Sequence, residues 1–335
     1  MLTEIRSQAY GNSLVMVENG KVSKLKITLG FACWHPSGRV IMTSINDPHL
    51  LIHTARSEIR DIVDLDSLLV YYVVDSKTIK TSPNISRKDR LETFPTWSPD
   101  GRYLYFCSAP MPWPWSERHK FPPERYDQVK YDLVRISYDL ETDKWGELET
   151  IVSAKDTGLS AGQPGISPDG RWLMFCMCEY SCWPTYHPSS DIYIMDLKAA
   201  RETGRYEYRR LEVNSDQCES WHSWSSNSRW IAFSSKKSNH LFTRSYLAYI
   251  DENGRSYKAL VLPQKDPTLY DSCLESYTMP ELVIESLHFK GEGLARAVRN
   301  PGKVPLVDMA ITQATPKAGS GGDAAGYQEL QQRRE

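Results

Sequence analysis

Apolar and polar residues alternate along most of this chain in short runs, and one kind of polar turn punctuates them. The clearest case is TFPTWSPDGRYLYFCSAP at residues 93–110. An apolar stretch meets Ser-Pro-Asp-Gly and resumes as Tyr103-Leu104-Tyr105-Phe106. Period-two alternation on both sides of a tight turn predicts a β-hairpin: proline presets φ, aspartate caps the turn, and glycine supplies positive φ. Three stretches repeat the pattern: ACWHPSGRVIMTS at 32–44, PGISPDGRWLMFCM at 164–177 and HSWSSNSRWIAFSS at 222–235. Aligned on the turn, an apolar residue precedes it each time (Trp34, Trp97, Ile166, Trp224) and an arginine follows it (Arg39, Arg102, Arg171, Arg229).

The turn positions Gly38, Gly101, Gly170 and Ser228 recur at spacings of roughly 60 residues, longer than the roughly 40–50 of a plain propeller blade, so the excess belongs in loops. After each hairpin comes a further apolar strand, a polar turn and a second strand, as in SLLVYYVVDSKTIKTS. Each unit is therefore four strands, A to D. Recurring four-strand units predict an all-β fold, a β-propeller of four recognisable blades plus a partial one. A β-sandwich would not produce such regular self-similarity, and no long stretch of 3.6 period exists to build an α/β fold. The propeller is expected over residues 1–280, with 12–28 as strands C and D of the partial blade. Residues 281–312 read as a ring-closing or irregular extension. Residues 313–335, rich in Gly, Ala, Gln and charge, read as a disordered tail.

Composition narrows function mainly by exclusion. Hydrophobic residues make up 40% and charged residues 24%, an ordinary globular balance, and 10 Trp with 19 Tyr favour β structure. A formal net charge of −2 leaves no overall basic footprint for nucleic acid or an anionic membrane. No apolar run approaches the roughly 18 residues of a membrane helix, and MLTEIRSQAY carries no signal-type apolar core. The seven cysteines include no Cys-x-x-Cys pair. Cys176, Cys178 and Cys182 sit close enough in sequence for a disulfide or metal site, but buried small hydrophobes are the expected role.

The repeated turns are read as architecture. Ser98 and Ser167 lack the strand-to-helix elbow of a hydrolase nucleophile. The repeated arginines are expected to strap neighbouring strands or pair with the turn aspartate. Chemistry is expected instead in the long B–C connections at 45–66, 109–130, 177–190 and 236–245. Of eight histidines, His49, His53, His119, His187 and His240 fall there, and His222 approaches strand A of the fourth blade. The same loops hold Trp113, Trp115, Arg118, Trp183, Tyr186 and Arg244, and aromatic and arginine enrichment suits a binding face on a rigid scaffold. The alternative is solvated loops with no dedicated ligand. If a metal is held, neutral imidazoles of His187, His222 and His240, with His53 a poorer fourth, are the candidate ligands.

The W-S-P-D-G-R repeats resemble those of TolB-like propeller proteins over roughly residues 1–280. The segments ETFPTWSPDGRYLYFCSA (92–109), TARSEIRDIVDLDSLLVYYV (54–73) and LVLPQKDPTLYD (260–271) are similar to a group of large TolB-like bacterial proteins, frequent in Bacteroidetes and often labelled cytochrome c biosynthesis proteins. The resemblance implies a periplasmic or envelope setting and a protein- or peptide-binding scaffold without catalysis or cofactor. An upstream Cys-x-x-Cys-His portion of that group has no counterpart here, so a truncated reading frame is expected, and a haem-linked redox role could not run through this chain alone. Oligogalacturonate lyases are similar in repeat type, which implies a metal-dependent enzyme acting on acidic polysaccharide as the alternative, using histidines near the propeller axis.

Overall fold

In a computed structural model, the described residues are 2–5, 13–18, 21–25, 30–53, 58–114, 123–285, 306–307 and 311–313. They form the expected all-β propeller. Blade one contains β4 (Ala32–Trp34), β5 (Val40–Ile52), β6 (Arg60–Val73) and β7 (Thr78–Thr81). Blade two contains β8 (Arg90–Trp97), β9 (Tyr103–Pro110), β10 (Asp132–Asp139) and β11 (Lys144–Val152). Blade three contains β12 (Ser160–Ile166), β13 (Trp172–Cys178), β14 (Asp191–Asp196) and β15 (Tyr208–Arg210). Blade four contains β16 (Glu219–Trp224), β17 (Trp230–Ser235), β18 (Arg244–Tyr249) and β19 (Leu260–Val261). Within each blade the strands pair antiparallel in sequence order.

A further sheet joins β1 (Leu2–Ile5), β2 (Ser13–Glu18) and β3 (Lys21–Leu25) to β20 (Leu306–Val307), and β21 (Ile311–Gln313) adds parallel to β7. The partial blade thus has strands where 12–28 predicted them. The expected tail lies outside the described residues, apart from Gln313.

The turns behave as hairpin corners. Ser98 Oγ donates to Asp100 Oδ1 at 2.6 Å and accepts from Tyr103 N, and Ser167 and Ser225 make the same pair of contacts in blades three and four. Blade one substitutes His35, whose Nδ1 meets Ser37 Oγ at 2.7 Å while Nε2 reaches Gly101 O of the next turn at 3.0 Å. Gly38, Gly101 and Gly170 hold φ near +71°, and Ser228 takes the same region at +58°. The arginines are straps: Arg102 pairs with Asp100, Arg171 with Asp196, and Arg39 crosses to Glu141 of blade two.

The core is a series of blade-to-blade layers. Val40, Met42, Leu69 and Tyr71 of blade one pack on Trp97, Leu104 and Phe106 of blade two. Tyr105 and Leu133 face Leu173, Phe175 and Met177 of blade three. Trp172, Met174 and Cys176 then face Ile231 and Phe233 of blade four. Alternate residues after each turn therefore serve opposite neighbours, as period-two pleating requires. All seven cysteines are free, five of them buried, so the buried-hydrophobe reading applies to Cys176, Cys178 and Cys182.

Two connections differ from expectation. Residues 45–66 are not an open loop: β5 and β6 continue as one antiparallel hairpin out to the Ile52–Arg60 pair. The polar turn expected after β14 is a helix, α1 (Leu197–Thr203). Asp196 caps it by accepting from Lys198 N and Ala199 N, and Gly204 ends it at φ +69°.

Candidate binding face

The extended β5–β6 hairpin, an arm in effect, lies across the ends of blades two, three and four, and it organises this face. Trp113 of blade two donates its indole N–H to Leu65 O at 3.2 Å. From blade three, Tyr180 donates to Asp61 Oδ2 at 2.5 Å, Ser181 Oγ donates to Ile62 O, and the Cys182 thiol donates to Asp64 Oδ2. From blade four, Lys236 forms an ion pair with Glu58, which also accepts from Arg60 Nε at 3.2 Å. Burial pushes the Glu58 carboxyl up, but Lys236 overrides it and holds the group below the usual range.

On the inner side of the arm, Asp61 lies between two imidazoles: His53 Nε2, also of the arm, is 3.5 Å from one oxygen and His187 Nε2 of blade three is 3.8 Å from the other. Tyr180 packs edge-on against His187 at 4.5 Å. A carboxylate, two imidazoles and a phenol could relay a proton in an open cleft. Here Asp61 on the arm and His187 and Tyr180 of blade three are all buried, and their contacts fasten the arm to blade three. Beside it, Asp64 accepts from Asn46 Nδ2 at 2.9 Å, and Ser44 in turn donates to Asn46. Burial pushes the Asp64 carboxyl up to about 7, against the opposing hydrogen bonds from Asn46 and Cys182.

The inner strands fill the propeller centre. Phe94, Gln163 and Trp221 hold φ of 52°, 52° and 49°, at matched bulges in β8, β12 and β16. Each lies three residues before the apolar residue that precedes the turn, where blade one has Phe31. A bulge re-aims a side chain, and these meet near the centre. Phe31 stacks on Phe94 at 3.9 Å and lies 5.4 Å from Trp221, while Gln163 Oε1 accepts from Trp221 N at 2.7 Å. Trp183 closes the group at 5.5 Å from Phe31. Sequence reading missed these positions; the signal was a repeated large side chain at that offset.

The expected site residues part company. Trp113 and His187 are buried in the arm contacts, Trp183 is in the central plug, and Tyr186 lies under Arg60 and Lys236, each 5.6 Å from its ring. His222 contacts Cys176 Sγ at 3.7 Å, and its Nε2 is shielded from solvent without a partner. Burial pushes its imidazole down to about 4. His240 is exposed. The three proposed metal ligands thus have separate surroundings, and no group of three His, Cys, Asp or Glu placed to hold a metal occurs among the described residues.

Arg244, expected in a loop, begins β18 and is fully buried. Its guanidinium donates to Glu275 O at 2.5 Å and Cys273 O at 2.8 Å, just after α2 (Leu269–Ser272), so it fastens the following strap of chain to blade four. Trp115, Arg118 and His119 lie outside the described residues.

The architecture is that of a β-propeller. No protein-family model and no curated protein sequence matches the chain. Among solved structures it is similar to a puromycin-hydrolyzing peptidase of Mycobacterium tuberculosis at 13% identity and TM-score 0.41, covering 75% of this chain and 37% of that one. It is similar to an oligogalacturonate lyase in complex with manganese at 15% identity and TM-score 0.41, covering 73% and 56%. It is also similar to Kuenenia stuttgartiensis hydrazine synthase at 14% identity and TM-score 0.43, covering 79% and 63%. The chain thus spans less than two thirds of each of these three proteins.

Proposed function

We propose that this chain is a non-catalytic propeller scaffold whose loop face binds a protein or peptide partner through the crest of the β5–β6 arm, in the bacterial envelope setting that its TolB-like repeats suggest. One observation carries this reading: the arm is rigidly clamped, yet its outward side is apolar. Leu50, Ile52 and Ile59 are 53%, 62% and 49% exposed. Leu50 pairs across the hairpin with Ile62 and Ile52 with Arg60, so Leu50, Ile52 and Ile62 share one pleated face, and Ile59 adds exposed apolar surface at the tip of the arm. Isolated exposed apolar residues are ordinary, but a row held on a fixed element is the usual form of a contact surface. The buried state of Asp61, His187 and Tyr180 supports a structural use of the histidines.

The test is capture from bacterial envelope extract on immobilised protein, comparing the native sequence with Leu50→Lys/Ile52→Lys. A discrete partner recovered by the native chain and lost by the variant, with unchanged thermal unfolding, is expected. Equal recovery by both would overturn the arm as contact. Calorimetric titration with Mn²⁺ separates the enzymatic alternative, because stoichiometric binding abolished by His187→Ala or His222→Ala would favour a metal-dependent lyase instead.

A further inference from the structure

The β5–β6 ladder is broken at one place. Asn46 pairs with Ser67, and the next pair outward is Pro48 with Asp64, which leaves Asp47 opposite Leu65 and Asp66. A bulge bends its strand, and Pro48 brings no N–H to the ladder. Burial changes at the same point: residues 40–46 are buried, and from Asp47 outward β5 alternates between part-buried and exposed. The bulge is therefore the root about which the arm can turn. Asp64 is the first paired residue of β6 beyond that root, and it is 3% exposed. Its Oδ2 accepts from Asn46 Nδ2 and from the Cys182 thiol, while Oδ1 is buried with no hydrogen-bond partner. Among the described residues, the titratable groups that face it are Asp47 of β5, Asp66 of β6, Tyr131 just before β10 and Cys182 of blade three. Glu92 of β8 lies beyond Asp66, beside Arg90, which pairs with Asp132. None of the groups facing Asp64 is a cation, so no positive charge offsets the desolvation of its ionised form.

We infer that Asp64 is a proton latch for the arm: with the carboxyl protonated the arm lies closed on blade three, and loss of that proton favours a state swung outward about the bulge. Burial holds Asp64 up to about 7 in the closed arm, whereas an opened arm returns it to water, where such carboxyls titrate near about 4. The open state therefore gains on the closed one by up to about tenfold per pH unit between those values, and the ratio is constant above them. The other fasteners, Tyr180 on Asp61 and Lys236 on Glu58, do not involve Asp64, so the open arm is a minor state whose population grows. Asp61 faces His53 and His187, which titrate separately from Asp64. The closed arm is the form with a fixed apolar crest, so acidification favours contact. That regulatory use rests on the arm being the contact element; the opening itself does not.

Hydrogen exchange on the full chain from about pH 5 to about pH 8, corrected for intrinsic chemical exchange, tests the latch. Amides of residues 48–52 and 60–64 should exchange faster than those of β13. Their protection should fall by up to about tenfold per unit to about pH 7 and then level off. Asp64→Asn, neutral at every pH, should keep the native chain's acid-side protection throughout. Labelling of the Cys182 thiol, mapped by mass spectrometry, is the second readout: the native chain should react faster than Asp64→Asn at neutral pH and equally at about pH 5. If Asp64→Asn fails to fold, the native exchange profile decides alone. Arm protection that ignores pH, arm amides that exchange only as slowly as β13, or a slope kept in Asp64→Asn would overturn the inference. No partner is needed for this experiment, so failure to capture one counts against the contact reading alone.

Discussion

Trp172 and Trp230 follow the same turn by the same number of residues, and both begin the second strand of their blade. Trp172 has a neighbour that receives it: Gly254, at φ +73°, leaves room where a Cβ would come within 2.7 Å of the indole ring. Trp230 has Tyr249 at 5.4 Å and open surface beyond. The local sequence is equivalent, so the difference lies in what the next stretch of chain provides. A repeat fixes the shape of a blade face, and the occupant of that face depends on the neighbour.

Several substitutions would sharpen or break this contrast. The largest effect is expected from Trp172→Ala, a loss of about 3–5 kcal/mol in denaturant unfolding, while Trp230→Ala should cost under about 1 kcal/mol. Equal costs would mean that the two faces are equally covered in solution.

The next effect is in pH. Asp64 is held protonated up to about 7 in the folded chain against 3.8 for the free side chain. The folded state binds the extra proton between those values, so its contribution to stability is greatest at low pH and is lost as pH rises to about 7. His222 acts with the opposite sign: its folded value of about 4 lies below 6.5, so stability falls as pH drops through that interval. Asp64→Asn should remove the first slope and His222→Gln the second, each by up to roughly 2–4 kcal/mol. Urea midpoints across pH 4–8 read this directly, and parallel curves for the variants and the native chain would contradict it.

Smaller is the expected effect of Arg244→Met, about 2–3 kcal/mol for carbonyls left without a charged donor. Faster hydrogen exchange should be confined to residues 270–280. Uniform loosening of all four blades would mean that the strap is integral to the core. Smallest among the buried contacts is Tyr180→Phe, about 1–2 kcal/mol, read as faster exchange in the β5–β6 arm.

Much of the fold was legible because hairpin chemistry is local. Ser, Asp, Gly and the flanking alternation specify each corner without reference to distant residues. The arm was not legible. Pro48, His49 and Asp61 look like loop residues, and the strand there is held by contacts of Asp61, Asp64 and Leu65 with Tyr180, Cys182 and Trp113, more than forty residues away in sequence. The site suffered for the same reason. Histidines gathered in the same loops of the sequence were separated by the arm, which took His187 inward and left His240 exposed. Arg244 read as a surface cation because its partners are backbone carbonyls of a strap whose path the sequence does not show. The central plug was readable in principle from Phe31, Phe94 and Trp221, but the positive φ that turns Phe94 and Trp221 inward has no residue-type signature outside glycine.

The central claim is that the arm, although clamped to three blades, presents a contact surface on its outer side. Site-specific photocrosslinking in living bacteria tests it most directly, with a photoreactive residue placed at Leu50 or, one position along, at Leu51, which packs inward against the core beneath the arm. The account predicts a discrete higher-mass adduct from position 50 and none from position 51. Adducts from both positions, or from neither, would contradict it.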